Sequence, residues 1–178
     1  MSTVRYSARS AATADLRRAA AGTLLASFAG PARPSLPPWL ARRVDEGLGG
    51  VCLYGSNRGA DVPAVAGALH GSRAGVVVAL DEEGGDVTRL AAATGSSLPG
   101  NAALGAVDDV DLTAAVAEAL GAALQAAGVD LDLAPCADVN SDPANPVIGV
   151  RSFGSDADLV ARHAAGFVAG LQAAGVAA

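Results

Sequence analysis

Short continuous apolar runs alternate with longer helical segments along most of this 178-residue chain. Such runs suit strands that are covered on both faces, as the strands of a parallel sheet are. The alternation therefore predicts an α/β fold of repeated strand–helix units, in which each helix returns the chain to start the next parallel strand. The predicted strands are residues 23–28, 50–54, 76–80 and 129–135, and a fifth begins within 175–178.

The segments between these runs have the apolar spacing or the end signals of helices. The clearest is 111–127, where leucine or valine recurs every fourth position and Gly128 follows the end. The N-terminal stretch ahead of the first strand also predicts a helix that runs into that strand. The other predicted helices are residues 36–47, 61–70 and 156–174.

Composition excludes several classes of function. Hydrophobic residues make up 51% of the chain and charged residues 17%, which excludes a disordered protein. The twelve basic residues are scattered arginines and only 3% of residues are aromatic, so the sequence predicts no surface for nucleic acid. No apolar run is long enough to span a bilayer. We therefore expect a cytoplasmic protein with neither a nucleic-acid nor a membrane partner.

Cysteine and histidine offer no predicted metal or redox site. Cys52 and Cys136 lie inside apolar runs without a CxxC spacing, which predicts buried free thiols in a reducing compartment. His70 and His163 fall inside predicted helices, as packing or surface residues, and neither has a sequence neighbour that would make it a base. Dinucleotide, P-loop and hydrolase-elbow motifs are missing as well. We expect no metal and no cofactor.

Carboxylates end the third apolar run abruptly, in the stretch VVVALDEEGGDVTRL of residues 76–90. Asp81 should project from the carboxyl end of its strand, where parallel α/β folds place their chemistry. Gly84 and Gly85 permit close approach of the backbone to a ligand, and Arg89 can return to face Asp81. A solvated acidic loop is the alternative explanation of this charge run.

A second long connection, APCADVNSDPANPVIGVRSFGSD, follows the fourth predicted strand. Acidic and amide side chains at alternate positions from Asp138 are similar to the start of a calcium loop. Pro143 and Gly149, however, occupy the positions that need a glycine and a bidentate glutamate, so a calcium site is not predicted. The loop instead presents Arg151, either as a structural clamp on a carbonyl or carboxylate or as a ligand contact.

Together the two loops resemble the N-terminal domain of glycoside hydrolase family 3, in its β-N-acetylglucosaminidase branch. The family pattern is roughly D-[QE]-E-G-G-x-V-x-R, then A-P-x-x-D-V, then N-P-x-I-G-x-R-S-F, and this chain has matching segments in the same order. GLGGVCLYGSN, residues 47–57, is similar to the family's second-strand segment. The resemblance implies a TIM-type (β/α)8 barrel. Residues 1–178 are expected to supply its N-terminal half, about four strand–helix units and the start of a fifth strand.

The resemblance also implies roles for particular residues. The expected substrate contacts, which hydrogen-bond a sugar, are Asp81, Arg89 and Arg151. The expected supporting residues of the loops are Gly84, Gly85 and Asp138. Two positions depart from the family pattern, Asp86 where arginine is frequent and Val150 where aspartate is frequent, and these departures could alter loop packing or subsite preference. They leave the three expected contacts in place.

The same resemblance implies a retaining glycosidase that hydrolyses terminal N-acetyl-β-D-glucosaminyl residues, such as those of peptidoglycan amino sugars. The family's K-H-F-P-G-H-G acid/base loop and its nucleophilic aspartate have no counterpart in these residues. No catalytic residue is therefore assigned, and the chain is expected to be an inactive part of a longer protein. A relative with β-glucosidase specificity and a non-catalytic sugar-binding or assembly fragment remain alternatives. The expected partner is a small carbohydrate substrate.

Overall fold

Four short strands form one parallel sheet in a computed structural model of the chain, which describes residues 13–29, 36–54, 57 and 61–178. Their order in the sheet is their order in the chain, and every neighbouring pair is parallel, which confirms the predicted α/β fold. The outer strands are shorter than predicted. The strands are β1 (Leu25–Ala26), β2 (Gly50–Leu53), β3 (Val77–Leu80) and β4 (Leu131–Asp132).

Helices occupy the connections between the strands. All the predicted helices are confirmed, and their ends lie within about two residues of the predicted ones. Three of them begin at an aspartate whose side chain accepts a backbone N–H of the first turn, namely Asp61, Asp109 and Asp156. The helices are α1 (13–21), α2 (Pro38–Asp45), α3 (Val62–Ser72), α4 (Asn101–Val107), α5 (Val110–Ala126) and α6 (Ala157–Ala173).

Helix α4 was not predicted from the sequence, and neither was a turn of 3-10 helix at Gly149–Arg151. α4 has only seven residues, and its N-terminus at Gly100 lacks a side-chain cap. A helix this short shows less than two turns of apolar periodicity, so the sequence carries little signal for it. The 3-10 turn lies in the loop after β4 and contains Arg151, and α4 packs against it.

The predicted fifth strand appears as a single parallel bridge between Leu131 and Ala177. The Asp132 amide donates to the Ala177 carbonyl at 2.8 Å, and the Ala177 amide donates to the Asp130 carbonyl at 2.9 Å. The described residues thus form an open sheet with β1 at one edge and Ala177 at the other, and not a closed barrel. This is the arrangement expected of part of a parallel barrel.

The apolar core lies on both sides of the sheet. β2 is buried along its whole length, and Val78 and Leu80 of β3 are fully buried. Cys52 and Cys136 are buried and free, as predicted. Helices α5 and α6 pack closely together, since a Cβ at Gly170 would lie 2.2 Å from the Ala114 carbonyl oxygen. Among the described residues no helix is long and apolar enough to cross a membrane.

Backbone contact between α4 and the Arg151 loop leaves no room for a side chain at Gly105. A Cβ placed there would lie 1.8 Å from the carbonyl oxygen of Phe153. By contrast, Gly67 in α3 is exposed, and a Cβ there would meet nothing within 4 Å. The two helical glycines therefore form a matched pair, one required by packing and one not.

We expect Gly105→Ala to lower the free energy of unfolding by about 1–3 kcal/mol or more, because the backbone of α4 or of the loop must move. Gly67→Ala should raise it by about 0.5–1 kcal/mol through lower chain entropy and better helix propensity. Urea unfolding followed by circular dichroism measures both values. Unchanged or higher stability of Gly105→Ala would contradict this close contact.

Candidate functional site

The three consecutive carboxylates at the end of β3, Asp81, Glu82 and Glu83, contact three different partners. Glu82 and Glu83 are only 2% and 4% exposed. The alternative of a solvated acidic loop is therefore wrong. Buried carboxylates are tolerated in proteins when they are hydrogen-bonded or paired with a cation, and both conditions are met here.

Asp81 pairs with Arg89 across the turn that separates them, as predicted. The Arg89 Nη2 atom donates to Asp81 Oδ2 at 3.1 Å. The Arg89 side chain is 28% exposed and the Asp81 side chain is 22% exposed. Both groups therefore keep some accessible surface at the carboxyl edge of the sheet while each limits the motion of the other.

Glu82 closes the same loop through backbone hydrogen bonds. Its Oε2 atom accepts the amide of Arg89 at 2.6 Å and that of Leu90 at 3.0 Å. Its own amide donates to Asp132 Oδ1 on the neighbouring strand at 2.9 Å. Glu82 thus fixes the position from which the Arg89 side chain departs, and it ties the loop to β4.

Gly84 and Gly85 form the tip of this loop in left-handed conformations, with φ of 76° and 54°. A Cβ on Gly84 would lie 2.9 Å from the carbonyl oxygen of Pro99, and one on Gly85 would lie 2.9 Å from Cα of Gly100. The space that the two glycines leave is therefore filled by the chain that enters α4. The backbone of Gly84 and Gly85 therefore packs closely against residues 99 and 100 of the chain itself.

Glu83 holds Arg151, which lies 68 positions further along the chain. The Arg151 Nε atom lies 3.1 and 3.0 Å from the two carboxylate oxygens, and Nη2 lies 2.6 Å from Oε1. The hydrogen bond to Glu83 raises the pKa of Arg151. Because Glu83 follows β3 and Arg151 follows β4, which are neighbouring parallel strands, Asp81 and the Arg151 loop lie at the same end of the sheet.

The backbone around Arg151 is held as well. Asn101 at the start of α4 donates from Nδ2 to the Arg151 carbonyl oxygen at 2.7 Å. The Ser152 hydroxyl donates to the carbonyl oxygen of Asp138 at 2.6 Å, and the Asp138 carboxylate accepts from the Cys136 thiol at 3.2 Å. Asp138 therefore contacts the loop through both its main chain and its side chain.

Phe153 anchors the end of this loop in the core between α5 and α6. Its ring stacks on His163 with centroids 5.3 Å apart. His163 contacts the Thr113 hydroxyl through Nδ1 at 2.8 Å and Asp108 Oδ1 through Nε2 at 3.1 Å. The order of hydroxyl, histidine and carboxylate resembles a hydrolase triad, but the two ring nitrogens are exchanged and Thr113 and His163 are completely buried. Thr113 and His163 therefore support the loop and cannot reach a substrate.

Clefts border both arginines. One of about 320 Å³ lies beside Arg89 and is lined in part by Tyr54 and Thr88. Another of about 220 Å³ lies beside Arg151, between the glycine turn and α4, with Val150 in its wall. Within the described part of the chain, no group of three potential ligands is arranged to hold a metal ion. The concave surface and its charged groups suit a small polar ligand.

Asp132 lies beneath this edge, fully buried on β4. Its Oδ1 accepts the Glu82 amide, while Oδ2 has no hydrogen-bond partner among the described residues. Burial raises the pKa of Asp132 to about 7; the Glu82 amide opposes this rise, and the charges of Glu82, Asp81 and Glu83 add to it. The protonated carboxyl is therefore the form that the fold favours.

Sequence reasoning missed four residues of this arrangement, which are Glu82, Glu83, Asn101 and Asp132. One signal was available, because Asp132 interrupts an apolar run where a charge is costly without a partner. The expected sugar contacts Asp81, Arg89 and Arg151 all lie at the same edge of the sheet. Their contact with a sugar remains a prediction.

Comparison with known proteins gives one consistent family. Residues 49–178 match the family described as Glycosyl hydrolase family 3 N terminal domain. Beta-hexosaminidase A of Pseudoalteromonas piscicida is 34% identical over an alignment of 158 residues, which covers 82% of this chain and 26% of that protein. Beta-hexosaminidase LpqI of Mycobacterium tuberculosis is 38% identical over 101 residues, 57% of this chain and 26% of that protein.

A solved structure agrees with these relatives. The glycoside hydrolase family 3 beta-N-acetylglucosaminidase from Paenibacillus sp. str. FPU-7 superposes with a TM-score of 0.80 and 34% sequence identity. The superposition covers 90% of this chain and 31% of that one. The chain thus spans about a quarter of the length of the two curated relatives and under a third of the solved structure.

The raised pKa of Asp132 predicts a loss of stability with rising pH. An ordinary aspartate titrates near 3.8 and this one near 7, so its contribution is fully present below pH 3.8 and is lost as the pH rises through 7. Asp132→Asn keeps an acceptor for the Glu82 amide but cannot ionise. Between pH 5 and pH 8 the wild type should therefore lose about 2–3 kcal/mol more than the variant.

Urea unfolding of both proteins at the two pH values measures this difference, and comparing the two proteins cancels the pH dependence that they share. Parallel changes in the two proteins would show that the Asp132 carboxyl is not protonated in the fold.

Proposed function

Because the chain belongs to glycosyl hydrolase family 3, we propose that its carboxyl-edge residues form the sugar-orienting part of a β-N-acetylhexosaminidase site. The observation that carries the proposal is the convergence of Asp81, Arg89 and Arg151 on one edge of the sheet, each with accessible surface. The relatives named above are beta-hexosaminidases, and the superposed structure is a beta-N-acetylglucosaminidase. The substrate class is a terminal N-acetyl-β-D-glucosaminyl residue, as in peptidoglycan amino sugars.

The chemistry of the three side chains suits a sugar ring. A carboxylate such as that of Asp81 accepts hydrogen bonds from hydroxyl groups, and guanidinium groups donate to hydroxyl and carbonyl oxygens. Arg89 and Arg151 are each already paired with a carboxylate, so their charges are balanced before a neutral sugar arrives. A neutral, polar ligand fits such a site better than a strongly charged one.

The carboxylates of this edge are not free to break a glycosidic bond. A retaining glycosidase needs a carboxylate nucleophile and an acid/base group on either side of the scissile bond. Glu82 and Glu83 are buried and committed to the loop and to Arg151, and Asp81 is paired with Arg89. We propose that the bond-breaking groups come from the part of a longer barrel that these residues do not include.

The proposed location is the cytoplasm, and the proposed mechanism needs neither a metal nor an organic cofactor. Support for a reducing compartment comes from Cys52 and Cys136, which are both buried and free. The carboxylates and guanidinium groups described above can orient a sugar by hydrogen bonding alone.

We expect the protein to bind methyl N-acetyl-β-D-glucosaminide, and Asp81→Asn to weaken that binding about ten- to a hundredfold. The physical reason is the loss of a charge-assisted hydrogen bond worth roughly 1.5–3 kcal/mol. Arg89→Ala should weaken sugar binding less than Asp81→Asn does, if the main task of Arg89 is to hold Asp81 in place. Asp45→Asn, an exposed carboxylate at the end of α2 that lines neither cleft, is the matched control and should bind as the wild type does.

Titration followed by 1H–15N NMR measures these affinities and shows whether each variant keeps its fold. Equal affinity in folded Asp81→Asn would contradict the proposed sugar contact. Tighter binding of methyl β-D-glucoside than of the N-acetyl sugar would instead favour β-glucosidase specificity.

The 178-residue protein alone should show no turnover of 4-nitrophenyl N-acetyl-β-D-glucosaminide above the uncatalysed rate, because orientation without a nucleophile leaves the bond-breaking step unassisted. Release of nitrophenolate, followed by absorbance, is the measurement. If the protein hydrolyses this substrate and Asp81→Asn abolishes the activity, the bond-breaking groups lie within these residues and the proposed division of roles is wrong.

A further inference from the structure

Glu83 is a charged group at the candidate site that a sugar can hardly reach. It is 4% exposed, and its carboxylate contacts Arg151 through three short donor–acceptor distances of 2.6–3.1 Å. A carboxylate buried to this degree is retained at a cost unless a partner compensates it. Arg151 supplies that compensation, and the same contacts restrict the orientation of the Arg151 guanidinium group.

Glu83 and Val147 use part of the hydrogen-bond donor capacity of the Arg151 guanidinium group. Arginine has five N–H donors. Glu83 takes the Nε–H and one N–H of Nη2, and the Val147 carbonyl lies near Nη1 at a long 3.4 Å. Within the described part of the chain no acceptor contacts the two remaining N–H groups, one on Nη1 and one on Nη2, so both can donate to a ligand. Glu83 therefore selects which edge of the guanidinium faces outward.

Both ends of the Arg151 side chain are held. Its carbonyl oxygen accepts from Asn101, which fixes the backbone, and its guanidinium is fixed by Glu83. Between these points lies a long side chain that is 34% exposed and has several rotatable bonds. Without the carboxylate this side chain would sample several rotamers, and ordering it would weaken ligand binding.

We propose that Glu83 is a positioning residue, which does not contact the sugar and acts on sugar affinity only through the guanidinium of Arg151. This inference rests on the proposed function, because it assumes that Arg151 contacts the sugar. It goes beyond that function by assigning a role to the second buried carboxylate of the loop.

A double-mutant cycle tests whether Glu83 acts through Arg151. Glu83→Gln keeps the shape of the side chain but presents an amide N–H₂ group to the guanidinium in place of one oxygen. It should weaken binding of methyl N-acetyl-β-D-glucosaminide about tenfold in the wild-type background, a coupling typical of groups in direct contact. In the Arg151→Gln background the same change should have no further effect.

The matched control is Glu118→Gln, which removes an exposed carboxylate of α5 that lines neither cleft and should leave the affinity unchanged in both backgrounds. Arg151 keeps 34% exposure and can hydrate, so we expect Glu83→Gln to fold. Glu83→Asp keeps the charge and shortens the side chain, and it should lose an intermediate amount of affinity. It also serves as the second variant if Glu83→Gln unfolds.

A measurement without sugar separates this inference from the proposed function. The Nε–H signal of Arg151 in 1H–15N spectra should exchange slowly with water in the wild type and at least several-fold faster in Glu83→Gln. Equal losses of affinity in the two backgrounds, or an unchanged exchange rate, would overturn the positioning role. Failure of the wild type to bind any sugar, with the exchange difference intact, would overturn the proposed function and leave the Glu83–Arg151 arrangement standing.

Discussion

The need to compensate buried carboxylates organises the edge of the sheet where β3 ends. A carboxylate removed from water costs several kcal/mol unless hydrogen bonds or a cation replace its hydration. Glu82 obtains that replacement from two backbone amides, and Glu83 obtains it from Arg151. Each solution draws a different segment of chain toward the strand. The conformation of the loops is therefore a consequence of where the charges have been buried.

Packing far from the ligand surface supports the same edge. The Arg151 loop packs directly against α4 because Gly105 has no side chain. Phe153 anchors the same loop by stacking on His163. His163 in turn joins α6 to Thr113 of α5 and to Asp108 at the end of α4. Interiors at native density transmit such constraints because side chains have little room to adjust. The position of the guanidinium group thus depends on three helices as well as on one carboxylate.

The sequence predicts the sheet, its helices and the common edge because these follow from local patterns. Continuous apolar runs identify the strands, and a parallel sheet brings their carboxyl ends together. Arg89 facing Asp81 is also predictable, since only a short turn separates them. The partners of Glu83 and Asp132 are not predictable in this way, because they lie 68 and 50 positions away and no local pattern pairs them. The short helix α4 was missed for the complementary reason, since its seven residues span too few turns to show periodicity.

Three adjacent residues with three separate tasks give this loop an unusual sensitivity to length. Inserting or deleting one residue between Leu80 and Gly84 would leave the number of charges nearly unchanged but would shift each carboxylate into the place of its neighbour. The exposed segment 141–144 of the other loop is different, because its hydrogen bonds are to residues of the same loop no more than three positions away. Over evolution, the first loop should therefore tolerate exchange of side chains more readily than changes in length, while the second can lengthen or shorten on its outer side.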